Sequence, residues 1–154
     1  MTKIILEPIA YVKNMRHDMS DDHWGNVLSE ITLVDSLPED CFEGIETFSH
    51  LEIIYHFNKA DESKTLLGAN HPRENKAWPN VGIFAQRKKD RPNHIGVTIV
   101  KIVSRTGRTL IVSNLDADDG TPVLDIKPVV KEFLPLDEVK QPAWISQLMK
   151  DYWK

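Results

Sequence analysis

What this chain has little of narrows it first. It holds a single cysteine, Cys41, so no internal disulfide can form and no zinc knuckle can be built from thiolates. Cys41 lies in the apolar-acidic run Asp40-Cys41-Phe42-Glu43 and reads as a buried structural thiol rather than a nucleophile. No apolar run approaches the roughly 20 residues needed to cross a bilayer. The opening Met1-Thr2-Lys3-Ile4-Ile5-Leu6 is broken by Glu7 and Pro8, too soon for a signal h-region, and no small-residue cleavage site follows. The expected setting is therefore cytoplasmic, with no membrane partner. Positive charge is not in excess: 19 Lys and Arg face 23 Asp and Glu, for a net charge of −4, so a general attraction to polyanions is weak. The histidines do not make a metal site. His50, Glu52 and His56 share one strand face, but positions i and i+6 lie roughly 20 Å apart along a strand, and no metal is expected.

What is present fits one folded unit. The 154 residues are 41% hydrophobic and include four Trp, five Phe and three Tyr, enough for one closed core and too aromatic for a disordered chain; residues 1–154 read as a single domain. Charge is unevenly spread. Residues 71–108 carry nine Lys and Arg against Glu74 and Asp90, a net of +7, and the remainder carries a net of −11. That split points to a positive patch for a phosphate or carboxylate ligand, unless folding sends the charges to different faces. Two loops stand out. Arg87-Lys88-Lys89-Asp90-Arg91-Pro92-Asn93-His94-Ile95-Gly96 is basic and stiffened by Pro92. Leu115-Asp116-Ala117-Asp118-Asp119-Gly120-Thr121-Pro122 is acidic and turned by Gly120. If the apolar stretch between them is strand, both loops can meet one ligand, in a site of turns and charge with no evident nucleophile.

The apolar spacing favours strands. Residues 4–12, 30–34, 51–57, 81–85, 95–103, 109–113 and 123–130 read as strands, with Leu51, Ile53, Tyr55 and Phe57 on one face and a hairpin turn at Gly107. Seven to eight short strands predict a mainly β fold, a small closed barrel over about 4–130. Ser36-Leu37-Pro38-Glu39 has capping-box spacing and Gly44 C-cap character, so a short helix is expected between them. Trp144, Leu148 and Tyr152 recur at helical spacing over 143–153, a C-terminal helix with a stripe that should dock. The segment 58–79 lacks periodicity and is a candidate lid.

Four ordered blocks carry a family likeness: Gly44-Ile45-Glu46-Thr47-Phe48-Ser49-His50-Leu51, Val81-Gly82-Ile83-Phe84-Ala85-Gln86-Arg87, Arg91-Pro92-Asn93-His94-Ile95-Gly96, and the run from Leu115 to Pro128. In that order, from about Ile4 to Pro128, the chain resembles the TsaA-like family, also called TrmO or YaeB. The resemblance implies a small β-barrel that binds S-adenosylmethionine, usually as a homodimer, and methylates threonylcarbamoyladenosine beside the anticodon of certain tRNAs. It assigns Arg87, Val97, Leu115, Asp116, Asp119, Gly120 and Thr121 to cofactor binding, with Asn58 and Lys59 after the Leu51 strand, where relatives often have His-Gln. Asp21-Asp22-His23-Trp24-Gly25 resembles the variant with a Trp-Gly turn in place of a Pro-Arg-Gln loop, which adds His23 and Trp24 to the cofactor side. His17 falls in the same stretch. Arg16, His71, Arg73, Lys88, Arg91 and Asn93 are assigned to substrate. Longer relatives carry a further C-terminal domain, so part of their substrate surface is expected to be missing here.

The chemistry accommodates the lack of a nucleophile, because a sulfonium brings its own leaving group and the protein's task is orientation. Carboxylates suit ribose hydroxyls and cations, and arginine suits a carboxylate. The residues alone allow plainer readings: Asp116, Asp118 and Asp119 as a self-satisfied turn around Gly120, the 87–91 run as a soluble loop, Trp24 as a packing anchor, Arg16 as a solvated charge, His71 as an exposed loop residue. Three functions stay open: a tRNA methyltransferase, a methyltransferase for another RNA or a small metabolite, and a noncatalytic S-adenosylmethionine-binding module.

Overall fold

The computed structural model describes residues 2–14, 16 and 20–154; His17 lies outside them. Six antiparallel strands close a barrel: β1 (Ala10–Asn14), β2 (Leu28–Leu33), β3 (His50–His56), β6 (Ile95–Thr106), β7 (Thr109–Ser113) and β8 (Pro122–Pro128), in the order β1-β2-β7-β6-β3-β8 with β8 returning to β1. Two short strands, β4 (Ala69–Asn70) and β5 (Val81–Gly82), pair outside it. The expected barrel of seven to eight strands is thus a barrel of six, and the remaining two make a ribbon within the loop between β3 and β6.

Alternation decides which side chains fill the interior. Ala10 and Val12, Ile31 and Leu33, Leu51, Ile53 and Tyr55, Val100, Leu110 and Val112, and Val123 all face inward and are buried, as a period of two in a closed sheet requires. β6 is long enough to serve two neighbours. Its first half pairs with β3 and its second with β7, with an irregularity between Ile102 and Ser104 where it bends. Gly107 (φ 57) forms the two-residue turn with Arg108 that joins β6 to β7, and it lets both strands run on to the turn.

Several expectations shift by a few residues. The first strand begins at Ala10, not Ile4, because Ile4, Ile5 and Leu6 are exposed and unpaired and Pro8 has no N–H for a ladder. Ser36 caps nothing. Pro38 stands at the start of a 3-10 turn over Glu39–Phe42, and Gly44 (φ 82) separates it from a second turn at Ile45–Thr47. In that first turn Phe42 takes the buried position and leaves Cys41 exposed, so the thiol is not a core group. The terminal helix α1 is short, Ala143–Leu148, and continues to Trp153 as turns. Among the described residues no helix is long and apolar enough to cross a membrane.

Gly96 sits opposite Tyr55 across the β3–β6 pair. A Cβ there would lie 2.7 Å from the Tyr55 ring and 2.8 Å from Phe57, inside contact distance. Gly96→Ala is therefore expected to destabilise the barrel by about 1–3 kcal/mol through overpacking; urea unfolding of the variant at parent-like stability would contradict this packing.

Candidate functional site

The acidic loop after β7 folds so that its side chains and main chain divide their work. Leu115 and Ala117 are buried, which turns the intervening Asp116 toward the barrel mouth. The Asp118 carbonyl accepts from both the amide and the hydroxyl of Thr121 (3.2 and 2.7 Å). Asp119 accepts from the Asn14 amide at 3.0 Å, and Gly120 (φ 85) donates its amide to the Val12 carbonyl at 2.8 Å. Asp119, Gly120 and Thr121 thus hold the loop on β1. Asp116 is the side chain aimed elsewhere.

Three hydroxyls converge on it. Tyr55 donates to Asp116 Oδ1 at 3.1 Å, Thr98 donates to the same oxygen, and Tyr152 donates to Oδ2. Tyr55 comes from β3, Thr98 from β6 and Tyr152 from the turns after α1. Burial first, and the Asp116 charge second, push both phenols well above their ordinary range, so each stays a donor to the carboxylate. Among the described residues no Lys or Arg forms an ion pair with Asp116. Arg87 is close enough to act on the Tyr55 phenol in the opposite sense. It is exposed, donates to the Val97 carbonyl at 2.6 Å, and among the described residues forms no ion pair with a carboxylate.

The residues of the Trp-Gly loop lie against the same terminal turns. Trp24 is buried beneath Arg16, whose guanidinium carbon stands 3.4 Å from the ring centroid, and Arg16 donates to the carbonyls of Ser20 and Asp22 (2.9 and 2.7 Å). His23 (φ 71) and Trp24 donate their amides to the Asp151 and Tyr152 carbonyls at 3.1 and 2.8 Å. Arg73 (φ 51) reaches Asp22 at 3.1 Å and Asp21 at 3.8 Å, and the Asp21 charge is felt at Tyr152. His71 donates from Nδ1 to the Trp78 carbonyl at 2.7 Å. Trp78 in turn donates to Gln147 at 2.8 Å and lies 6.5 Å from the Trp144 ring. The segment 58–79 is thereby fastened to α1.

In the basic loop, Arg91 donates to the Gln86 carbonyl at 2.7 Å, and the buried His94 donates from Nδ1 to the Lys89 carbonyl at 2.8 Å. These contacts, with the left-handed pair Asn93 and His94 (φ 66 and 49), shape the loop from within. Lys88 is half-buried and Lys89 exposed beside Arg87. Asn58 and Lys59 are exposed just past the end of β3. Two of the nine cations in 71–108 leave this region entirely. Arg105 pairs with Glu46 at 2.9 Å, and Arg108 binds the Val34 and Leu37 carbonyls, at the opposite end of the barrel, so the +7 segment is not one patch.

The sequence reading missed Tyr55, Thr98 and Tyr152. Tyr55 sits in an aliphatic strand face and Tyr152 in an apolar stripe, where an aromatic ring reads as packing. The available signal was a hydroxyl on each inward-facing side.

Comparison with known proteins follows the same outline. The pattern of the tRNA-methyltransferase O N-terminal domain matches residues 19–134. A probable S-adenosyl-L-methionine-binding protein of Pyrococcus abyssi is 41% identical over 123 residues, 79% of this chain and 62% of that protein. The human tRNA (adenine(37)-N6)-methyltransferase is 37% identical over 105 residues, 68% of this chain and 23% of that one. A crystal structure of TrmO from Pseudomonas aeruginosa superposes with a TM-score of 0.75 at 24% identity, covering 94% of this chain and 62% of that one; this likeness carries the fold. The matched region is thus less than two thirds of the length of these relatives.

An alkaline titration tests the cluster. Folded-state pKa values raised above that of an unfolded tyrosine, about 10, add stability that is complete below that pH and is lost as pH rises through the folded values. Near-ultraviolet titration should therefore show two of the three tyrosines resisting ionisation until the fold is lost, and ionising at lower pH in Asp116→Asn. Three tyrosines ionising together in the folded protein would contradict the geometry.

Proposed function

The chain belongs to the tRNA-methyltransferase O N-terminal domain family, and from that premise we propose that it binds S-adenosylmethionine at the Asp116 end of the barrel and transfers its methyl group to a modified adenosine of tRNA, threonylcarbamoyladenosine beside the anticodon. The observation that carries the reading is the placement at one barrel mouth of a carboxylate and a guanidinium that, among the described residues, form no ion pair. The amino-acid end of S-adenosylmethionine has an ammonium and a carboxylate, and its ribose has two hydroxyls. Arg87 offers the fork of donors that suits the carboxylate, and Asp116 the acceptors that suit the ammonium or the diol. When bound, this cofactor supplies an electrophilic methyl on a sulfonium that is its own leaving group.

The chain's own residues then have an orienting role. Holding two reactants in line contributes on the order of 7 kcal/mol or more in favourable cases, which is consistent with a site of hydroxyls, turns and one carboxylate. Asp119, Gly120 and Thr121 fix the loop that presents Asp116. The buried Trp24 holds the terminal turns beside this mouth through the hydrogen bond from its amide to the Tyr152 carbonyl. Arg87, Lys88 and Lys89 provide the cationic rim for the phosphates of an RNA, while Arg73 is held by Asp21 and Asp22. The chain acts as one unit, barrel and terminal helix together, in the cytoplasm. The outer face of β6 exposes Ile95, Val97, Ile99 and Val103, an apolar stripe that supports the expected homodimer.

A second reading is a module that binds S-adenosylmethionine without transfer, since the Pyrococcus abyssi relative is described by binding alone. Calorimetry separates the readings. The proposed enzyme binds close to one S-adenosylmethionine per chain, weakened about tenfold or more in Arg87→Ala and Asp116→Asn while both stay folded, and forms S-adenosylhomocysteine when the acceptor tRNA is added. Its tRNA affinity should fall steeply with salt, with a smaller slope in Lys88→Ala and Lys89→Ala. Cofactor binding with no product on any tRNA would favour the module, and no binding by the folded protein would remove both.

A further inference from the structure

Two of the three hydroxyls on Asp116 come from barrel strands, and the third arrives from the last turns of the described chain. We infer that Tyr152 is a positioning residue of the cofactor site, and that residues 142–154 are a working part of that site rather than a cap on the barrel. The inference rests on the S-adenosylmethionine reading above.

The geometry separates the roles of the two carboxylate oxygens. Tyr55 and Thr98 both hold Oδ1. With that oxygen alone fixed, the carboxylate plane can still turn, because the terminal torsion of an aspartate is broad. Tyr152 holds Oδ2 and removes that freedom. Each phenol has one proton, and each gives it to Asp116; Tyr55 is buried, so toward the rest of the site Tyr152 presents only lone pairs. The result is a wall of acceptors: the Tyr152 phenolic oxygen and the remaining lone pair of Oδ2, with Tyr55 buried behind them. Such a wall selects a ligand face that donates, an ammonium or a pair of ribose hydroxyls, and disfavours a carboxylate or phosphate. Arg87 stands nearby for the anionic part.

The chain makes room for this arrival in a way that packing on a barrel would not need. A Cβ on Gly25 would stand 1.8 Å from the Trp153 carbonyl oxygen, so only glycine lets the two backbones approach. The amides of His23 and Trp24 then bind the Asp151 and Tyr152 carbonyls, which sets the height of the Tyr152 ring, and Trp153 braces it edge-on at 5.0 Å. At the other end, Gln147 accepts from Trp78. The terminal segment therefore couples the Trp-Gly loop and the 58–79 segment to a single carboxylate.

The test is calorimetric titration with S-adenosylmethionine of the full chain, Tyr152→Phe, Asp116→Asn and the double variant, with thermal unfolding recorded for each. Tyr152→Phe keeps the ring and its contact with Trp153. It is expected to unfold near the parent temperature and to bind about tenfold more weakly, the effect of one hydrogen bond to a charged group. On the Asp116→Asn background the same change should alter affinity by less than about twofold, because its route is already cut. Gly25→Ala, which displaces the terminal backbone without touching Asp116, should weaken binding in the same direction. Parent-like affinity in Tyr152→Phe, tighter binding of the kind an obstructing segment gives, or equal losses on both backgrounds would overturn the inference and leave the cofactor reading standing. A folded parent that does not bind S-adenosylmethionine would overturn both.

Discussion

The arrangement at the barrel mouth depends on how three hydroxyls hold a carboxylate that forms no ion pair among the described residues. Asp116 is half-buried and has three hydroxyl partners from positions 61, 18 and 36 residues away. A hydrogen bond to a charged group contributes about 1.5–3 kcal/mol, and losing any one would leave a partly desolvated charge less well held. The same three contacts tie β3, β6 and the terminal turns to one point. Stability alone does not require this, since buried charges can often be replaced by apolar groups of similar volume at little cost or even with gain. A carboxylate with no ion pair among the described residues is better explained by a ligand that brings positive charge or donors.

Around that point the cations sort by what they touch. Arg16 and Arg91 direct donors to main-chain carbonyls of their own loops, and Arg105 and Arg108 do the same at the far end, where Arg105 adds an ion pair with Glu46. A guanidinium used this way shapes a loop and has fewer donors for a ligand. Arg73 is engaged by Asp21 and Asp22. Arg87 has one carbonyl contact, which leaves most of its fork facing outward. The binding charge at this mouth is therefore much smaller than the +7 of the segment that carries it, and recognition there depends on where a few donors point more than on the overall field.

Much of the barrel was legible because inward and outward faces alternate in the sequence: residues 51–57 gave the right strand and the right buried face, and the Gly107 turn was found in place. The two loops singled out by their ordered motifs lie toward the same end of the barrel, where Tyr55 feels both the Asp116 and the Arg87 charge. Other details depended on geometry that spacing does not encode. Ile4 to Leu6 are as apolar as a strand, yet no neighbour pairs with them. Phe42 displaced Cys41 from the interior because a 3-10 turn puts only one of its residues inward. The expected barrel of seven to eight strands has six, because β4 falls in the 58–79 segment that shows no periodicity and pairs with β5 outside the barrel, which is a matter of topology. Tyr152 was placed on a docking stripe, and its hydroxyl's partner, 36 residues away, had no local sign.

The register of one strand pair explains why the polar site forms where it does. Thr98 faces Ile53 and Gly96 faces Tyr55 across β3 and β6, so the inward side of this pair changes from aliphatic to hydroxyl-bearing within a single step along each strand. Gly96 leaves the space that the Tyr55 ring fills, and the ring carries its hydroxyl beyond the apolar layer to the loop after β7. Moving the pairing by one residue would turn Tyr55 or Thr98 to the outer face and leave Asp116 with its terminal partner alone. The irregularity between Ile54 and Tyr55 against β8 falls at this same level, where a local bend changes the aim of a side chain. The apolar core and the polar mouth are thus set by one register, and a sequence change that slips the strand pair would lose the site together with the packing beneath it.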